Sequence, residues 1–170
     1  MSKMNGLQEM AFISEIVLQS KIAQRAAERL QTANDNLDNI EVWGSIQSIL
    51  VATGNVSKIL WSYEKPERSE KLRQTLKIEK SNPLSNRKFR NHFEHYDSRI
   101  EDWFENKRSS IQIDLAMNPS LGGRSLDNID RGYNSFNNTL IFRHELLDLN
   151  EVLSALKDIH NSCKQYGFNW

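Results

Sequence analysis

One cysteine, three prolines and seven glycines in 170 residues are few, and each scarcity excludes something. A single thiol, Cys163, cannot close an intramolecular disulfide, so nothing points to an oxidising compartment. So little proline and glycine argues against a many-turned all-β sandwich and in favour of long helices. No apolar run approaches the length a bilayer crossing needs, and residues 1–6 lead into mixed polar sequence without the core of a signal peptide. A cytoplasmic protein without membrane association is expected. Net charge is also missing, with 22 basic against 22 acidic residues, which excludes a protein that coats nucleic acid over its whole surface.

What is present suits a packed fold. Hydrophobic residues make up 38%, mean hydropathy is −0.63, and four Trp and seven Phe argue against disorder. The length is enough for a core that needs no metal or disulfide staple, and one domain over 1–170 is expected.

Helical periodicity marks most of the chain. Ile13, Ile16, Val17, Ser20, Ala23, Ala27 and Leu30 recur at spacings of three and four, predicting a helix over about 7–32 that the Asn34-Asp35-Asn36 stretch breaks. Trp43, Ile46, Leu50, Val56 and Leu60 predict a second over 38–63, in which Gly54 costs stability unless a neighbouring backbone comes close. A short charged helix over 67–76 follows Pro66. Phe89, Phe93, Tyr96, Ile100, Trp103 and Phe104 fall on one side of a third long helix over 85–106. Ile111, Ile113 and Leu115 alternate like a strand, 118–131 reads as an exposed loop, and 130–135 with 139–144 form a hairpin about a turn at 136–138. Asp148 and Glu151 predict a capping box for a last helix carrying Leu149, Val152, Leu156, Ile159 and Cys163. The expected fold is mainly α, a four-helix up-down bundle with a small β-hairpin/strand insertion over about 111–144 before the last helix.

The chemistry-bearing stretch is Arg87-Lys88-Phe89-Arg90-Asn91-His92-Phe93-Glu94-His95-Tyr96-Asp97. Arg90 is followed by polar Asn91, and His95 comes five positions after Arg90. An Arg, a polar residue after it and a His downstream, on a late helix of an all-α bundle, resembles the HEPN (higher eukaryote and prokaryote nucleotide-binding) superfamily. The resemblance implies metal-independent RNA cleavage, or nucleotide binding or a structural role as in other members. Under it Arg90, Asn91 and His95 are catalytic candidates, with Arg87, Lys88 and Arg99 as substrate-binding candidates. It also suggests a homodimer and, for toxin-type members, an antitoxin partner. The residue types suit the task. Attack of a ribose 2′-hydroxyl on phosphorus needs a proton acceptor near neutral pH, as His95 offers, and a permanent cation such as Arg90 to balance the phosphorane.

Two features complicate that assignment. Residues five apart on an ideal helix point about 140° away from each other, so Arg90 and His95 converge only through a kink or through a two-fold dimer. Arg90 with Glu94, and His95 with Arg99, are also i, i+4 pairs that an ordinary solvated helix face would show. His92 reads as a structural histidine beside the apolar stripe. No metal or other cofactor is expected: Glu94 and His95 are adjacent, and no Glu has a His three residues on, as a di-iron bundle requires.

Charge is not evenly spread. Nine basic residues (Lys65, Arg68, Lys71, Arg73, Lys77, Lys80, Arg87, Lys88, Arg90) face only Glu67, Glu70 and Glu79 between positions 65 and 90, a local excess of +6. Such a cluster suits a phosphodiester backbone, or is a solvated connector. Three functions therefore compete: an HEPN-like ribonuclease or toxin-type RNA-acting protein, a non-catalytic module binding nucleotide, RNA or protein, and a structural accessory bundle.

Overall fold

A computed structural model describes residues 4–106, 113–122 and 126–168. The chain is mainly helical with one small sheet. Helix α1 (Gly6–Asp35) starts at a capping box in which Asn5 Oδ1 accepts from the Gln8 N–H at 2.8 Å and Gln8 Oε1 accepts from the Asn5 N–H. It runs through Asn34 and Asp35 instead of stopping at 32, and Leu37 makes the turn with a left-handed φ of 57°. The Asn34 side chain donates to the Tyr133 hydroxyl at 3.3 Å, a tertiary bond that holds the helix's last turn. Helix α2 (Asn39–Leu60) is capped by Asp38 and stops three residues short of expectation, at Trp61. Helix α3 (Pro66–Leu76) has proline in its first turn and ends at left-handed Lys77.

Two cores share α1 and α2. At one end Ile13, Ile16 and Val17 pack with Val56 and Leu60, with Leu72 and Leu76 of α3, and with Leu156, Ile159 and Cys163. At the other, Ala26 and Leu30 pack with Val42, Trp43, Ile46 and Leu50 against Tyr133, Leu140 and Phe142 of the sheet. Ala26 takes the buried place expected for Ala27.

The expected third long helix is two short ones. Helix α4 (Lys88–Glu94) and helix α5 (Tyr96–Glu105) meet at His95, whose φ of −111° and ψ of 40° lie outside the helical region. The break dissolves the apolar stripe: Trp103 is buried, but Ile100 and Phe104 are exposed.

The sheet is also larger than the expected hairpin. Strands β1 (Ala116–Met117), β2 (Arg131–Asn134), β3 (Thr139–Phe142) and β4 (Glu145–Asp148) lie in that order, β1 parallel to β2 and the others antiparallel. The turn at 136–138 is as expected, with Asn138 left-handed. The described part of the 118–131 stretch is not an open loop: it contains 3₁₀ turns Pro119–Gly122 and Leu126–Asn128, and it buries Pro119, Ile129 and Asp130. Of the strand expected through Ile111, Ile113 and Leu115, Ile113 forms a parallel bridge with Ile129 and Leu115 is left-handed, while residues 111 and 112 lie outside the described residues. Helix α6 (Leu149–Cys163) buries its predicted stripe, although the Asp148 carboxylate accepts from the Asn150 N–H at 2.8 Å, not through the expected box with Glu151. Among the described residues no helix is long and apolar enough to cross a membrane.

Candidate functional site

Arg90 is set by a glycine on another helix. A Cβ at Gly54 would overlap Arg90 Cδ and stand 2.9 Å from its Cγ, so the arginine stem lies in a notch on α2 that only glycine leaves open. This accounts for glycine in a helix interior, where it costs about 0.5–1 kcal/mol relative to alanine. The expectation of a close neighbour is met by a side chain, not a backbone. The Arg90 side chain is only 11% exposed. Its Nε donates to Asn91 Oδ1 at 3.2 Å and Nη2 donates to the same oxygen at 2.5 Å, while Nη1 stands 3.6 Å from the Glu94 carboxylate. Asn91 thus orients the guanidinium directly.

His95 is elsewhere in the local frame. It is exposed at the α4–α5 break, its N–H donating to the Asn91 carbonyl and its carbonyl accepting from Arg99. Among the described residues its imidazole makes no hydrogen bond to Arg90 or Asn91. His92 is buried: its ring stacks on Phe142 with centroids 3.9 Å apart, and Nε2 is 3.7 Å from Glu145. Burial and the nearby Arg99 hold its pKa below the usual histidine value against the opposing pull of Glu145, as a structural histidine requires.

The basic run is largely committed to the fold. Arg68 donates to the Lys58 and Ile59 carbonyls, Arg73 to that of Leu60, and Arg87 to that of Trp61 at 3.2 Å. Three guanidinium groups therefore satisfy the open carbonyls at the C-terminal end of α2, where the helix dipole also favours cations. Lys71 pairs with Glu9, and Lys88 with Glu145 at 2.8 Å. Of the expected substrate-binding residues, Arg87 lines the cleft described next, Lys88 is drawn to the sheet, and Arg99 lends its carbonyl to Arg143.

Arg90 and Arg87 border a cleft of 380 Å³ between α2, the 81–87 turn and the N-terminal end of α6. Thr53, Gly54 and Ser57 of α2 line it, as do the acidic residues Asp148 and Glu151. His95 does not line it. Among the described residues no three His, Cys, Asp or Glu side chains gather as a metal site would require. Burial pushes the Cys163 thiol up to about 12, which removes it as a nucleophile.

The chain matches no family model, no curated protein and no solved structure.

Sequence reasoning missed Ser57 and the place of Asp148 and Glu151 in the cleft lining, because lining residues from four segments share no local pattern. The one visible signal was Gly54 in the middle of a strong helix.

Proposed function

We propose that this chain is an HEPN-like, metal-independent endoribonuclease or toxin-type RNA-acting protein, a single helical domain working as a cytoplasmic homodimer. In it α4 and α5 together take the place of one helix of a four-helix up-down bundle. The observation that carries this reading is the break at His95. An unbroken helix would direct Arg90 and His95 about 140° apart, and the break at His95 frees the pair from that fixed relation without itself bringing them together. His95 accepts the proton of a ribose 2′-hydroxyl, whose oxygen attacks phosphorus as the bond to the 5′-oxygen breaks. The products are a 2′,3′-cyclic phosphate and a 5′-hydroxyl, the departing 5′-oxygen taking a proton from water while His95 returns its own to solvent. Arg90, oriented by Asn91, stabilises the charge of the phosphorane. A two-fold dimer supplies the remaining convergence, and an antitoxin-type protein would be a natural partner.

A second reading, a non-catalytic RNA- or nucleotide-binding module, is favoured by the commitment of Arg90 to Asn91 and Glu94. Incubation with mixed RNA in EDTA separates the two. Cleavage leaving cyclic phosphate ends, lost by at least about 100-fold in His95→Ala and in Arg90→Ala of verified fold, is the expected outcome for a general base and an electrostatic group. Equal cleavage in wild type and His95→Ala would remove the catalytic assignment, and RNA binding without cleavage would establish the second reading.

A further inference from the structure

Two polar groups along the cleft lack hydrogen bonds. Ser57 is 1% exposed and its Oγ has no partner, although a helical serine ordinarily donates to the carbonyl four residues back. Arg90 Nη1 is also buried without a hydrogen bond, since Glu94 at 3.6 Å lies at ion-pair distance, beyond hydrogen-bond reach. The two belong to one place. Ser57 is three residues from Gly54 on the same face of α2, and Arg90 lies across Gly54. Buried donors left open cost stability, and two on one cleft wall can be satisfied together by a single acceptor-rich ligand.

We infer that the Ser57 hydroxyl and the Arg90 guanidinium, seated in the Gly54 notch, form a phosphoryl-binding subsite on the α2 wall of the cleft. A phosphoryl group fits because it brings several acceptor oxygens on one centre, enough for a hydroxyl and a guanidinium together. Arg87, on the same cleft, adds a second cation, and Glu94 is the internal carboxylate that the anion displaces from Arg90. The phosphoryl group has two sources, a backbone phosphate of RNA or a free phosphate-bearing small molecule. The RNA source rests on the RNA-acting reading above, whereas the subsite itself does not require cleavage by His95.

Calorimetric titration of the full chain with inorganic phosphate and with a short single-stranded RNA tests this, beside Ser57→Ala, Gly54→Ala and Glu94→Gln. Ser57→Ala is expected to weaken phosphate binding roughly tenfold, the size of one hydrogen bond to a charged group. Its Tm should be unchanged or higher, because it removes an unpartnered hydroxyl from the unliganded protein. A hydroxyl with a purely structural role would lower Tm and leave phosphate affinity alone. Glu94→Gln is expected to tighten binding by removing the competing carboxylate, and Gly54→Ala to abolish it by displacing Arg90. Competition between phosphate and RNA, both sensitive to Ser57, identifies the backbone as the source. Phosphate binding that RNA does not compete for identifies a small ligand. Equal phosphate affinity in wild type and Ser57→Ala, or no binding of either probe by the wild type, overturns the inference. RNA cleavage with intact Ser57→Ala affinity would sink the subsite while leaving the catalytic reading in place.

Discussion

Two regions of the molecule, the apolar core shared by the long helices and the attachment of α5 to the sheet, are held by different forces. Where α1, α2, α3 and α6 meet, Ile13, Ile16, Leu60, Leu72 and Ile159 exclude water with almost no charge among them. Where α5 meets the sheet, the attachment is ionic. Asp130, fully buried, accepts from Arg143 Nε at 2.6 Å and from the Tyr96 hydroxyl at 3.1 Å. Arg143 reaches on to Asp102 at 2.6 Å and to the Arg99 carbonyl. Arg131 grips Asp114 with two bonds, at 2.8 and 2.6 Å, and stacks on the Tyr96 ring at 3.6 Å. Apolar packing has no charge to lose, whereas a paired network depends on every member being present and charged. The motif segment thus hangs between a rigid apolar body and an ionic clamp. Its position relative to α2 depends on both.

The largest expected effect comes from breaking the clamp. Asp130→Ala takes the buried carboxylate from Arg143 Nε and the Tyr96 hydroxyl, leaving Arg143 with Asp102 and the Arg99 carbonyl, and should cost up to about 3–5 kcal/mol, the range for removing one member of a buried ion pair. Leu60→Ala, in the apolar core, should cost about 2–5 kcal/mol through cavity formation. Shape-conserving replacement read by urea unfolding distinguishes them: Asp130→Asn, which keeps the shape but removes the charge, should still cost about 3 kcal/mol, whereas Leu60→Met should cost less than about 1.5 kcal/mol. Equal tolerance of the two replacements would remove the contrast between the two regions.

A smaller effect tests the Gly54 notch. In wild type, Gly54→Ala should destabilise because the new methyl meets Arg90. In an Arg90→Ala background the same change should instead stabilise by about 0.5–1 kcal/mol, the ordinary preference of a helix for alanine. A double-mutant cycle by denaturant titration reads the change of sign, and no coupling would mean that the notch does not hold the arginine.

The smallest expected effect is on acidification. His92 titrates below its usual value in the fold, so its neutral form is favoured there and its contribution is complete above pH about 6.5 and lost as pH falls through the lower folded value. Burial raises the Asp114 carboxyl, but its paired bonds from Arg131 outweigh this and hold it below the usual carboxylate range. Its contribution therefore disappears further down, in the acid range. Stability should fall in two stages, and His92→Phe should remove the upper one. A single stage unchanged in that variant would contradict the assignment.

Much of the helical framework was legible. The stripes of α1, α2 and α6 are periodic because each of these helices is long and buries one face, which is the condition under which spacing reports burial. Residues 85–106 met the same test and failed it. Their aromatic spacing suits one helix, but the chain leaves the helical region at His95, and the clamp of Arg143, Asp130 and Tyr96 ties α5 to the sheet. β4 was hidden for a similar reason: Glu145-Leu146-Leu147-Asp148 is two apolar residues between acids, and only pairing with β3 makes it a strand. The candidate site divides along the same line. Arg90, Asn91 and His95 are contiguous enough to be read as a motif, whereas Ser57 enters only when Arg90 crosses Gly54.

By itself the sequence determined which helices have a buried face, that one thiol closes no disulfide, and that basic charge concentrates between Lys65 and Arg90. These depend on residue type and local spacing. The tertiary structure alone decided that most of that charge is spent on the fold, including the end of α2, that a helix breaks at His95, and that Arg90 lies in a glycine notch beside Ser57. Each of those needs a partner far along the chain, and the energy of a carbonyl, a carboxylate or a missing methyl acts only when folding brings it within reach.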